Sequence, residues 1–204
     1  MTSFKIINIE TPTIVESTSS DLYQYRVYIG KQDVKTSDKA SYWYLKDNLA
    51  ISHTGDGTTF TSSLMCVEIC GYTPEYRASS FERGTDLPYI NGCSTKQLIN
   101  PVRPGDPTFQ MLYMPPHTSE QAHHIHATPR IVYVASGQGT SVVGTTDSYK
   151  NYTLTKGDVI LLSKMVPHHF TTANSDLTVL PLHVFSTVGQ AEFDHPMYNG
   201  THRV

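Results

Sequence analysis

The segment HIHATPRIVYVASG, residues 124–137, opens on two histidines one residue apart, passes through an arginine into an alternating apolar run, and closes on a glycine. If its start is extended, His124 and His126 project to one face, because side chains alternate with a period of two. His123 and Ile125 then point the other way. Two imidazoles on one face make half of a metal site, and the remainder has to come from a distant part of the chain. Such pairs also occur on solvated strands without metal, so the surrounding sequence has to decide.

Downstream, GDVILLSKMVPHHF, residues 157–170, offers His168 directly behind Pro167. Around both segments short runs rich in Val, Ile, Tyr and Thr recur between Gly, Asn, Asp and Pro clusters, which reads as mostly β. RIVYVAS and TSVVG flank Gly137-Gln138-Gly139, YTLT and VILLS flank Lys156-Gly157-Asp158, and HHFTT and LTVLPLHVF flank Asn174-Ser175-Asp176. These pairs predict three hairpins and hence an antiparallel sandwich or barrel. Upstream, YQYRVYI, SYWYL, SLMCVEIC, KQLI and FQMLYMP read as further strands, with the aromatic content that β-propensity favours. The expected organisation is a β-rich N-terminal extension over 1–104, packing on the barrel or on a dimer partner, a barrel over 105–190, and a polar tail over 191–204.

The order and spacing of these residues resemble the two signature motifs of the cupin superfamily. The first is HxH, three residues, usually glutamate, six residues, glycine; the second is glycine, five residues, proline, x, glycine, two residues, histidine. Gly137 stands at the expected glycine, Gly157 opens the second motif and His168 closes it. The resemblance covers roughly residues 109–186. It implies a double-stranded β-helix, the cupin or jelly-roll barrel, with extra N-terminal strands. Thr118, Ser163, Met165 and Thr172 depart from the pattern at turn positions, where substitution changes loop shape more than fold. Arg130 departs differently, because it occupies the place of a glutamate that ligates metal in many cupins.

An arginine has five donors, no acceptor and a permanent charge, so it cannot ligate a cation. The resemblance therefore implies a ligand set of His124, His126 and His168, similar to that of cupin dioxygenases that bind Fe(II) and keep positions open for substrate and oxygen. Fe(II) is the favoured metal, although Zn, Ni, Mn and Cu suit imidazole ligands too. If alternation continues through 130, 132 and 134, Arg130 faces inward with Val132 and Val134, and a buried guanidinium needs an anion. That anion is either a protein carboxylate, Glu120 or Glu68, or a carboxylate or phosphate of the substrate held in a bidentate pair. The protein's own carboxylate is the commoner solution. His183 reads as a core histidine with satisfied nitrogens or as an acid/base group of the site. His117 reads as a solvated loop residue, His169 as pointing away from His168, and Cys66 and Cys70 as buried apolar cysteines.

Lys and Arg number 15 against 18 Asp and Glu, which leaves no strong field to attract nucleic acid or an anionic membrane. The opening MTSFKIINIETP has no signal-peptide pattern, no apolar run spans a bilayer, and three cysteines are an odd number for a disulfide framework. A cytoplasmic protein is expected. The leading functional expectation is a mononuclear non-haem Fe(II) dioxygenase acting on a small anionic molecule, with Arg130 and His183 as catalytic candidates. The alternatives are a metal-dependent lyase or isomerase, with a tyrosine or His183 as base, and a non-catalytic small-molecule-binding cupin. A homodimer is expected from the prevalence of twofold assemblies.

Overall fold

A computed structural model of the chain describes residues 4–17, 24–71, 75–101 and 105–184. The expected tail over 191–204, and Tyr23 and Phe185 of two expected strands, lie outside the described residues. Seventeen strands are present among those described, and no α-helix. In chain order the first nine are β1 (Phe4–Asn8), β2 (Thr13–Glu16), β3 (Tyr25–Ile29), β4 (Gln32–Lys35), β5 (Ala40–Lys46), β6 (Leu49–Thr54), β7 (Thr59–Ser62), β8 (Met65–Cys70) and β9 (Arg77–Ser80). They are followed by β10 (Leu87–Pro88), β11 (Ser94–Ile99), β12 (Thr108–Met114), β13 (Arg130–Thr145), β14 (Ser148–Thr155), β15 (Asp158–Leu162), β16 (His168–Thr171) and β17 (Leu177–His183). No helix among the described residues is long and apolar enough to cross a membrane.

The chain divides into two compact units, Ile7–Arg83 and Met1–Ile6 with Gly84–Val204. The division thus falls at Gly84 rather than at 104. β11 and β12, on either side of the Pro- and Gly-rich stretch NPVRPGDP, pair with each other, from Ser94↔Tyr113 to Ile99↔Phe109. β10 extends the same sheet, and β1 joins it alongside β15.

The Ile7–Arg83 unit is a six-stranded antiparallel sheet in the order β2-β3-β8-β5-β6-β9, with a β4-β7 ribbon. Along β8 the period of two puts Met65, Val67 and Ile69 on one face and Cys66 and Glu68 on the other, all buried. The Glu68 carboxylate accepts the Tyr28 hydroxyl at 2.8 Å and the Tyr42 hydroxyl at 3.3 Å, and Arg26 lies 3.4 Å away. Glu68, one of the two carboxylates considered for Arg130, therefore has its cation in Arg26 of its own sheet. Cys66 is buried and its thiol is pushed up by burial, whereas Cys70 is exposed, against the expectation that both are buried.

The other unit is organised by β13, whose first half pairs with β15 and β17 and whose second half pairs with β14 and β16. The hairpin expected at Gly137-Gln138-Gly139 is absent, because the strand runs straight through it. Gly137 instead sits at φ 78, next to a register shift between Val134 and Ser136 against β17. A Cβ there would run into the Asp176 carbonyl oxygen, so glycine allows the bend that carries β13 from one set of partners to the other. The hairpin turn lies further on, where Thr145 pairs with Ser148. Lys156-Gly157 and Asn174-Ser175-Asp176 are also corners rather than hairpins: β14 and β16 pair with the second half of β13, β15 and β17 with the first. The result is the double-stranded β-helix. Its core includes Val132, Val134, Ile160, Leu162, Leu177 and Val179, each no more than 2 % exposed, and burying such a side chain contributes about 1.5–3 kcal/mol.

Candidate metal centre

His124 and His168 face each other across an isolated antiparallel bridge, with N–H···O distances of 3.1 Å and 2.9 Å between their backbones. The Met165 N–H donates to the His126 carbonyl at 2.7 Å, closing the loop behind them. These bonds bring the two distant segments together. The ring centroids are 4.7 Å apart for His124 and His126, 4.5 Å for His124 and His168, and 5.2 Å for His126 and His168. One nitrogen from each of the three rings lies within 4.8 Å of the others. His123 is turned out of this cluster. Its Nδ1 is 2.7 Å from Nδ1 of His169 and its Nε2 meets the Gly144 carbonyl.

The protonation states suit ligation. Nδ1 of His124 lies 3.0 Å from the Ala122 carbonyl and Nδ1 of His168 lies 2.8 Å from the Val166 carbonyl. Each Nδ1–H donates to the carbonyl two residues back, so the lone pair is on Nε2, the arrangement that orients a metal-binding imidazole. Burial pushes the His126 ring well below the usual histidine range, and the Arg130 charge and the neighbouring imidazoles push the same way. Burial takes His168 down to about 4, against the Val166 carbonyl, with Arg130 again lowering it. Neutral imidazoles in this geometry fit a divalent transition metal.

Arg130, 2 % exposed at the start of β13, lines the same pocket. Its Nη1 donates to the Thr128 hydroxyl and to the carbonyls of Thr128 at 3.3 Å and Pro129 at 3.4 Å. Glu120, the other carboxylate considered for Arg130, accepts the Phe170 N–H at 3.2 Å and makes no ion pair among the described residues. Burial raises it to about 7, only partly opposed by that hydrogen bond. His183 is buried opposite Arg130 on β17, its ring 6.2 Å from that of His126. The fold thus brings both catalytic candidates to the histidines, while His117, at φ 57 with its N–H on the Ala173 carbonyl, does not line the pocket.

Sequence reasoning passed over Gln121 and Tyr89. The Gln121 side-chain nitrogen lies 2.7 Å from Nε2 of His124, and its oxygen accepts the Tyr89 hydroxyl at 3.0 Å. No motif contains either residue. Two of the departures from the cupin pattern turn out to be partners: the Thr118 N–H donates to the Thr172 hydroxyl at 3.0 Å, and the Thr172 N–H to the Thr118 carbonyl at 2.8 Å. Met165, at the expected glycine of the second motif, has a left-handed backbone, at φ 62. Val132, Leu162, Phe170 and Val179 are among the apolar walls of the pocket.

Residues 110–185 match the family model described as a cupin domain. No curated protein matches the chain at a significant level. Among solved structures, a cupin 2 conserved barrel domain protein from Leptotrichia buccalis is 13 % identical with a TM-score of 0.54, over 88 % of this chain and 96 % of that one. A salicylate 1,2-dioxygenase from Pseudoaminobacter salicylatoxidans, in adducts with gentisate, is 8 % identical with a TM-score of 0.57, over 96 % of this chain and 83 % of that one. An oxalate decarboxylase from Bacillus subtilis with Mn(II) centres is 10 % identical with a TM-score of 0.54, over 90 % of this chain and 78 % of that one. At such identities the likeness is one of fold. The family match, the double-stranded β-helix and the histidine cluster agree, and residues 110–185 are a cupin domain.

Proposed function

We propose that the chain is a metal-dependent enzyme, a mononuclear Fe(II) dioxygenase acting on a small acidic molecule. The observation that carries this reading is the convergence of His124, His126 and His168 within 4.8 Å beside a buried guanidinium, with burial holding His126 and His168 neutral. These residues hold the metal, which when bound supplies Lewis acidity and one-electron redox chemistry. Three neutral ligands leave the site strongly positive and Arg130 adds to it, so the pocket selects an anion. Arg130 binds the substrate's acid group and orients it, while Val132, Leu162, Phe170 and Val179 take its hydrocarbon and exclude water. The likeness to a salicylate 1,2-dioxygenase supports the choice of reaction. The working assembly in this reading is a homodimer.

The test is metal analysis and oxygen uptake on protein purified without chelator. Near-stoichiometric metal in the natural chain, lost in His126→Ala and His168→Ala, is expected, with oxygen consumed stoichiometrically when small carboxylic acids are offered to the Fe(II)-loaded protein. Metal that persists in both variants refutes the site.

Glu120 favours a second reading, a metal-dependent lyase or isomerase on a small carboxylate. A carboxyl at about 7 in the same pocket gives and takes a proton near neutrality, and the likeness to an oxalate decarboxylase supports it. Turnover without oxygen consumption selects this reading over the first.

A further inference from the structure

Gln121 lines the pocket and has no part in the chemistry proposed above. Because His124 gives its Nδ1–H to the Ala122 carbonyl, its Nε2 carries the lone pair, and the Gln121 amide N–H donates to that lone pair across 2.7 Å. The same lone pair is the one a metal requires. Loading the site therefore requires the amide to give way. The smallest motion is a half-turn about the terminal torsion of the side chain, a broad and roughly two-fold coordinate. That half-turn exchanges the amide nitrogen and oxygen, bringing Oε1 against the histidine cluster and the NH2 group against Tyr89. The Tyr89 hydroxyl, which donates to Oε1 at 3.0 Å, can equally accept from the NH2 group, so the anchoring hydrogen bond survives.

We propose that Gln121 is an amide that turns over on metal loading and that its Oε1 is the fourth protein ligand of the three-histidine site, an assignment that rests on the metal-site reading above. It places an oxygen donor in a site where Arg130 has taken the position of the usual carboxylate. Unlike a carboxylate it adds no charge. The bound cation keeps its full charge for an anionic substrate, and the mixed nitrogen and oxygen donor set suits Fe(II), Mn(II) or Co(II) better than a soft ion.

The experiment titrates chelator-stripped full-length protein with Co(II), by calorimetry and by visible d–d absorption, for the natural chain, Gln121→Leu and Gln121→Glu. Gln121→Leu is expected to bind Co(II) at least about tenfold more weakly, the lower end of what lost support costs a metal site, with an altered d–d spectrum. Gln121→Glu is expected to bind it more tightly, because the ligand gains charge. Unchanged or tighter Co(II) binding by Gln121→Leu, with an unchanged spectrum, overturns the proposal: the amide then only blocks His124. Should Gln121→Leu fail to fold, Gln121→Glu decides alone, and unchanged affinity and spectrum overturn the proposal. Failure of the natural chain to bind Co(II) stoichiometrically overturns the three-histidine reading itself and this proposal with it.

Discussion

Replacing Glu120 by glutamine separates a buried proton carrier from a merely structural acceptor. The carboxyl is 6 % exposed, accepts the Phe170 N–H at 3.2 Å, and is held at about 7 against an ordinary 4.5. The folded chain holds this proton more tightly than the unfolded one. Its contribution to stability is therefore fully present below pH 4.5 and is lost as pH rises through about 7. At about 1.36 kcal/mol per pH unit, the gap between the two values amounts to about 3 kcal/mol. Glutamine is isosteric, keeps the acceptor for Phe170 and never ionises. In chelator, the unfolding free energy of the natural chain should fall by about 3 kcal/mol relative to Glu120→Gln between pH 4.5 and pH 8. His168, held at about 4 against an ordinary 6.5, works in the other direction, its contribution present above 6.5 and lost as pH falls through about 4. It is common to both proteins and cancels in the difference. Urea unfolding followed by circular dichroism is the assay. Parallel pH curves for the two proteins would mean that Glu120 titrates as an ordinary carboxylate, and the acid/base reading would lose its basis.

Two further outcomes follow from the geometry. Met165→Gly should raise stability by about 1 kcal/mol, because an L side chain at φ 62 carries a left-handed penalty of roughly that size, and Met165 is exposed with little packing to lose; a lower urea midpoint for the variant would contradict this. Metal release on acidification should be centred well below pH 6.5, because burial and Arg130 already hold His168 at about 4 and His126 lower still, so protons compete late. Dialysis at stepped pH with metal analysis checks it, and release centred on 6.5 would show ordinary, solvated imidazoles.

Much of the site could be read from residue order, because the relevant physics is local. Alternation puts His124 and His126 on one side and His123 on the other whether or not the segment forms a long strand, and here it forms only a bridge at His124. Motif spacing placed His168 with them. The rest depended on neighbours remote in sequence. In the sequence Glu120 is one of two candidate carboxylates for Arg130, whereas its proton is set by burial. Gln121 carries no pattern at all, and only the fold of the preceding loop lays its amide on His124.

The chain's own order determined that it would form strands and which imidazoles would share a face, since alternation acts over a few residues. Only the tertiary structure decided what the turns connect. Gly137-Gln138-Gly139, Lys156-Gly157 and Asn174-Ser175-Asp176 have the composition of hairpin turns, yet one lies inside β13 and two are corners between its partner strands. A turn residue fixes backbone direction over its own peptide groups, whereas the strand that fills each hydrogen-bonding edge is chosen by burial of side chains from the whole sheet. The same long-range burial turned Arg130, a departure in a motif, into a fixed charge beside neutral histidines.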